Sequence, residues 1–155
     1  MASHTAVTLL DGRIRFLAVG AETGGRLLLT EQIFPAGGGP PLHTHPMAEV
    51  FHVLEGVVEV LVRHPGAESV SVERLEAGHT TCVPLGAVHT FRPVGAPINR
   101  LIAAFTPAGT GEDFFRDAGT PYDGPFELPA HPVVDEAAVR RVLQAMARHD
   151  FVVEG

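Results

Sequence analysis

Three histidines and a glutamate stand out by spacing: His43, His45, Glu49 and, on a later segment, His89. On an extended segment, side chains two residues apart leave the same face, so His43 and His45 point the same way. Glu49 and Phe51 share that parity beyond a short break at Pro46-Met47. Imidazole nitrogens and a carboxylate oxygen converging on one point would suit Fe, Ni, Mn, Co, Cu or Zn rather than Ca or Mg. Such a metal activates small molecules as a Lewis acid or as a redox centre. Flanking residues shape the approach. Gly37-Gly38-Gly39 permits a sharp turn into the His43 segment, and Gly86 permits one before His89. Pro46 and Pro84 bias His45 and Val83 toward extended backbone.

Distant segments meet in this way only if the intervening chain folds into paired strands. Short β-rich runs separated by turn signals span about residues 13–105. Strands are expected at Arg13–Val19, Arg26–Phe34, Leu42–His45, Glu49–Leu54, Val57–Arg63, Ser69–Arg74, Thr80–Val83, Val88–Arg92 and Ile98–Phe105. Glu55-Gly56 suits a two-residue hairpin turn. Many short strands with no helix between them predict an all-β sandwich or closed barrel. The 17 glycines and 13 prolines fit a turn-rich fold of that class. Residues 106–134 read as an irregular strap with a short helix at Glu112–Ala118, capped by Thr110 and stopped by Gly119. Asp135 is expected to cap a helix over about 136–148, whose stripe of Val139, Val142, Leu143 and Met146 packs outside the barrel.

The chain's 155 residues suit a single domain. Its net charge of −7, with no basic cluster, argues against nucleic-acid and anionic-membrane partners. The single cysteine, Cys82, precludes an intrachain disulfide and is expected to be a small buried residue. There is no basic, apolar leader at Met1 and no stretch of membrane-spanning length, so a soluble cytoplasmic protein is expected.

The stretch Gly37 to Gly56 reads G-x5-H-x-H-x3-E-x6-G, and Gly78 to His89 reads G-x5-P-x-G-x2-H. These resemble the two motifs of the cupin superfamily, in particular the small quercetin dioxygenase-like cupins. The resemblance implies a cupin jelly-roll barrel (double-stranded β-helix) with one divalent transition metal ion per chain. The implied ligands are His43, His45, Glu49 and His89. One departure is visible: the second motif usually closes with Asn, where this chain has Pro93, leaving the register and a strand-end hydrogen bond open there. His52 stands where such cupins often carry Tyr or Phe.

Phe51, Val53 and Phe91 share parity with the ligands and are expected to line the cavity as a substrate pocket. Arg100 is the basic residue considered for the interior, its direction undetermined. With so few cations available, an apolar or aromatic small molecule fits better than a polyanion. His4, His64, His79, His131 and His149 read as surface or terminal residues, and His52 as facing away from the metal. The leading function is a metal-dependent dioxygenase, in which the resemblance makes Glu49 both ligand and proton acceptor. Two alternatives stand beside it. One is a non-oxidative isomerase, cyclase or decarboxylase, and the other a non-catalytic small-ligand-binding cupin. A homodimer is expected, with the N-terminal segment pairing on a partner's sheet.

Overall fold

The computed structural model describes residues 6–155. Twelve strands among them form two antiparallel sheets. In chain order the strands are β1 (Ala6–Leu9), β2 (Gly12–Ala18), β3 (Leu28–Phe34), β4 (His43–Thr44), β5 (Ala48–Glu55), β6 (Val57–Arg63), β7 (Ser71–Glu76), β8 (Thr80–Val83), β9 (Val88–Pro93), β10 (Asn99–Thr106), β11 (Thr120–Tyr122) and β12 (Val152–Val153). The first sheet runs β11-β1-β2-β3-β10-β5-β8 and the second β12-β4-β9-β6-β7. Three helices complete the fold: α1 (Gly20–Thr23), α2 (Gly111–Ala118) and α3 (Glu136–Arg148). The strand spacing anticipates this all-β architecture, the motif resemblance its jelly-roll form, and the Asp135 cap its C-terminal helix.

Alternation explains the layers. In β2, Gly12, Ile14 and Phe16 are buried while Arg13 and Arg15 turn outward. In β10, Asn99, Leu101, Ala103 and Phe105 face in, and Arg100, Ile102 and Ala104 face out. The two inner faces share one core, in which Phe16, Leu28, Phe51, Val58, Val60, Leu75 and Leu101 are almost wholly buried.

Gly56 works differently from the hairpin turn expected of it. β5 pairs with β8 and β10, whereas β6 pairs with β7 and β9, so Glu55-Gly56 is a corner that carries the chain from one sheet to the other. The corner needs glycine twice over. Its φ is 80°, and a Cβ there would overlap Asn99 Oδ1 and crowd the Ile98 carbonyl. Asn99 is fully buried and accepts from the backbone N–H groups of Val57 and Gly95, each at 3.0 Å. That same asparagine ties the chain beyond Pro93, and the β6–β9 register runs unbroken to Val58–Pro93. The departure from the second motif therefore leaves the local pairing intact.

Four other expectations change. Ala6–Leu9 pairs with β2 and β11 of its own chain rather than standing free for a partner's sheet. Cys82 is exposed, because β8 is an edge strand and Val83 takes the inward position beside it. The Thr110 hydroxyl does not cap α2; it donates to the His149 carbonyl at 2.6 Å and joins the start of α2 to the end of α3. The apolar stripe of α3 does not simply cover sheet. α3 packs on α2 and β12, and Val139, Val142, Leu143 and Met146 line the central cavity. Its cap is as expected, with Asp135 accepting from the Ala138 N–H at 2.8 Å.

Candidate metal centre

The four candidate ligands come from both sheets. His43 on β4 lies directly opposite His89 on β9 in the second sheet. Glu49 is the second residue of β5 in the first sheet, and His45 sits on the crossing between them. The ligand atoms of His43, His45 and His89 all lie within 4.8 Å of one another, and all three residues are buried. Glu49 Oε2 is 3.0 Å from His45 Nε2 and 3.1 Å from His89 Nε2.

Backbone carbonyls set the rings. His43 Nδ1 donates to the Pro41 carbonyl at 2.8 Å, and His89 Nδ1 to the Ala87 carbonyl at 3.0 Å. In each case a carbonyl two residues upstream holds the Nδ1 proton, which turns Nε2 toward the shared centre. That arrangement is typical of metal-binding histidine. His45 Nδ1 is buried without a partner.

Charge behaviour points the same way. Burial, and after it the neighbouring His89, pushes the His43 imidazole down to about 4, so it is neutral with a free lone pair at physiological pH. Burial works to raise the Glu49 carboxyl, but hydrogen bonds from His45 and His89 outweigh it and hold the group below its usual range. For His89, burial works to lower the imidazole, and the Glu49 contact outweighs that and raises it. The buried Glu49 carboxylate is thus balanced by its two imidazole contacts, and a divalent cation would balance it more completely. Three neutral-capable imidazoles in one buried cluster therefore fit one divalent transition metal ion.

The cluster opens onto a cavity of about 290 Å³. Phe51 and Phe91 line it, 5.4 Å apart between ring centres. Val53 does not. It lies one pleat further along β5, fully buried in the core. Sequence parity tells which face a residue takes but not how far along the barrel the cavity reaches. Arg100 faces outward, 3.5 Å from Glu31 and beside the Phe126 ring. His52 also faces away, with Nδ1 2.7 Å from the Thr80 hydroxyl. His64, His79 and His131 are exposed and His149 pairs with Asp117, while His4 lies outside the described residues.

Several wall residues carry no motif signal. Phe105, Phe114, Phe115 and Phe151 come in from β10, from α2 and from the turn before β12. Gln32 and Asp11 are polar members of the wall, and burial raises the Asp11 carboxyl. Gln32 could have been found from its parity with Thr30 and Phe34 on β3; the others depend on how distant segments close.

Residues 30–105 match the family model described as Cupin domain. With the two-sheet fold and the histidine cluster, this identifies a cupin domain over those residues. Among solved structures, oxalate decarboxylase of Bacillus subtilis, described with Mn(II) centres, is similar at a TM-score of 0.62 and 18% identity. That match covers 72% of this chain but only 29% of the decarboxylase. KdgF from Halomonas sp. is similar at a TM-score of 0.52 and 19% identity, over 63% of this chain and 81% of KdgF. At these identities the likeness establishes fold alone. A search of the curated proteins finds no match. Among the described residues, no helix is long and apolar enough to cross a membrane.

Proposed function

We propose that this protein is a metal-dependent enzyme acting on a small, mainly apolar or aromatic molecule, and that the reaction is a dioxygenation. The observation that carries the reading is the pairing of the histidine cluster with an aromatic-walled cavity. No arginine lines that cavity, and the chain has no lysine. A polyanionic substrate would have no cation to meet it there except the metal.

His43, His45 and His89 would hold the metal, with Glu49 as the fourth ligand. When bound, such a metal supplies Lewis-acid polarisation and, if redox-active, a route for electrons to dioxygen. Glu49, held ionised, takes the proton of an acidic substrate hydroxyl at Oε2. Phe51, Phe91 and Phe114 orient an aromatic body and exclude water, which strengthens every electrostatic contact at the ligand cluster. The same Glu49 supports a second reading. A base beside a Lewis acid also suffices for isomerisation, cyclisation or decarboxylation without dioxygen, and oxalate decarboxylase shares this fold.

The test is turnover of a panel of phenols and enolisable aromatics by protein loaded with Fe, Ni, Mn, Cu or Zn, with and without dioxygen. Consumption of dioxygen in step with substrate supports the dioxygenase. Turnover equal under nitrogen transfers the site to the second reading, and tight binding with no turnover leaves a ligand-binding cupin. We further propose a homodimer in a reducing compartment such as the cytoplasm. The outward residues Val50, Leu54 and Ile102 leave one flank of the first sheet partly apolar.

A further inference from the structure

Gln32 is 2% exposed, yet its side chain stands on the cavity wall. Its amide orientation follows from its neighbours. The Thr30 hydroxyl donates to the Ala103 carbonyl at 3.0 Å, so the hydroxyl oxygen has lone pairs left to receive a proton. Gln32 Nε2 lies 3.1 Å away and donates to it. The amide is thereby fixed with nitrogen toward Thr30, and Oε1 has no hydrogen-bond partner among the described residues. That oxygen is not sealed in the core: Gln32 stands on the cavity wall, so Oε1 is open there to accept from whatever ligand brings a donor.

The strand register says where this oxygen stands. Across β3, β10 and β5 the inward residues form three rows: Leu28–Phe105–Glu49, Thr30–Ala103–Phe51 and Gln32–Leu101–Val53. Glu49 belongs to the first row and Gln32 to the third. Four residues of strand separate them, roughly 13 Å along the strand direction. Ala103 keeps the middle row low. The rings of Phe34, Phe51 and Phe91 pack against one another, with centres 5.6 and 5.4 Å apart, as the apolar wall of this stretch.

We propose that Gln32 is a specificity-determining residue: its Oε1 accepts a hydrogen bond from a hydroxyl or amino group on the end of the substrate remote from the metal. The substrate class is then a flat, mainly aromatic molecule about two rings long, with a metal-binding oxygen at one end and a neutral donor at the other. A carboxylate at the far end is disfavoured, because it brings no proton and the cavity also carries Asp11. This inference rests on the metal-centred reading above and narrows it.

The experiment uses zinc-loaded protein and three probes followed by calorimetry: a phenyl-substituted catechol, the same compound with a para hydroxyl on its phenyl ring, and the methyl ether of that hydroxyl. The hydroxyl probe should bind about tenfold tighter than the phenyl probe, as one buried hydrogen bond allows. The methyl ether, which accepts but cannot donate, should gain nothing. Gln32→Met should erase the hydroxyl preference while holding the affinity of the phenyl probe. Equal affinities of the hydroxyl and phenyl probes in the unaltered protein would overturn the proposal, and so would a methyl ether that binds as tightly as the hydroxyl. Neither outcome depends on a variant that folds. The metal reading fails separately: if all three probes bind metal-stripped protein as tightly as the zinc form, the metal is not their anchor. A hydroxyl preference that persists there and is erased by Gln32→Met still assigns the contact to Gln32, and one that survives Gln32→Met overturns it.

Discussion

At the residue scale, the candidate centre is a set of side chains whose burial makes sense only together. His43, His45, Glu49 and His89 are each 6% exposed or less, and a buried carboxylate held only by two imidazole contacts still carries a desolvation cost that a cation would offset. Removing one ligand leaves that cost and opens a coordination position. His89→Ala or His45→Ala should lower affinity by more than about 100-fold, the upper end for losing merely an outer-shell partner. Elemental analysis after dialysis checks this, and equal metal content in the wild type and the double variant would defeat the assignment. Asp11 gives a second prediction at this scale. Burial raises its pKa above 3.8, so the ionised form is less favourable in the folded chain than in the unfolded one. The penalty is full above the folded pKa and absent below 3.8. Asp11→Asn, which keeps an oxygen acceptor at the rim, should raise the melting temperature near neutral pH. That gain should disappear in acid below the ordinary carboxylate value. A gain that persists unchanged in acid would point to a cause other than charge.

At the element scale, the strap and the last helix divide their aromatics between two tasks. Phe114 on α2 stacks on Phe151 at 4.4 Å and lines the cavity, while Phe126 lies on the outer face over Arg15 and beside Arg100. Phe114→Ala should therefore cost stability, by about 3–5 kcal/mol as for other buried phenylalanines, and also change the affinity of cavity ligands. Phe126→Ala should cost less and leave ligand affinity unchanged. Paired melting curves and probe titrations distinguish the two, and identical behaviour of both variants would contradict this division. The strap itself was legible as a strap, because glycine and proline interrupt every periodic pattern in it. Its contribution to the cavity was not, since nothing local in Phe114 or Phe115 says where α2 will land. The ligands were legible for the opposite reason. A two-residue spacing fixes a shared face wherever the strand goes, and Val57–Arg63 and Thr80–Val83 form with the bounds their sequence implies. Gly56 shows the limit of such reasoning. A positive-φ glycine between two β runs announces a turn, but whether that turn makes a hairpin or a corner depends on Asn99, forty-two residues along the chain from Val57.

At the scale of the whole molecule, the two sheets are covered unequally. Tyr122 and Phe126 of the strap lie over Arg13 and Arg15, so the outer face of β2 is shielded, and Glu31 on β3 is buried beneath it. Beyond Arg100, which Phe126 borders, the outer faces of β10 and β5 have no such cover among the described residues. Ile102 and Val50 are half-buried there, and Leu54 is 44% exposed. The strand at that end, β8, is an open edge that carries Cys82. A partly apolar flank beside an unpaired edge, with His52 and Thr80 in its middle row, is the usual raw material of an isologous interface. The N-terminal strand is not available to complete it, because β1 is already enclosed between β2 and β11. The interface should therefore lie on the β10-β5-β8 flank. Light scattering at tens of micromolar should give twice the 16.4 kDa mass of one chain. Ile102→Arg places a charge in the middle of that flank without touching the cavity, since Ile102 faces away from it. It should return the mass to that of a monomer while metal content and probe affinity stay as they were. A monomer mass for the unaltered protein refutes the dimer outright. A dimer indifferent to Ile102→Arg moves the interface to another face, with the β7 edge of the second sheet as the next surface to alter.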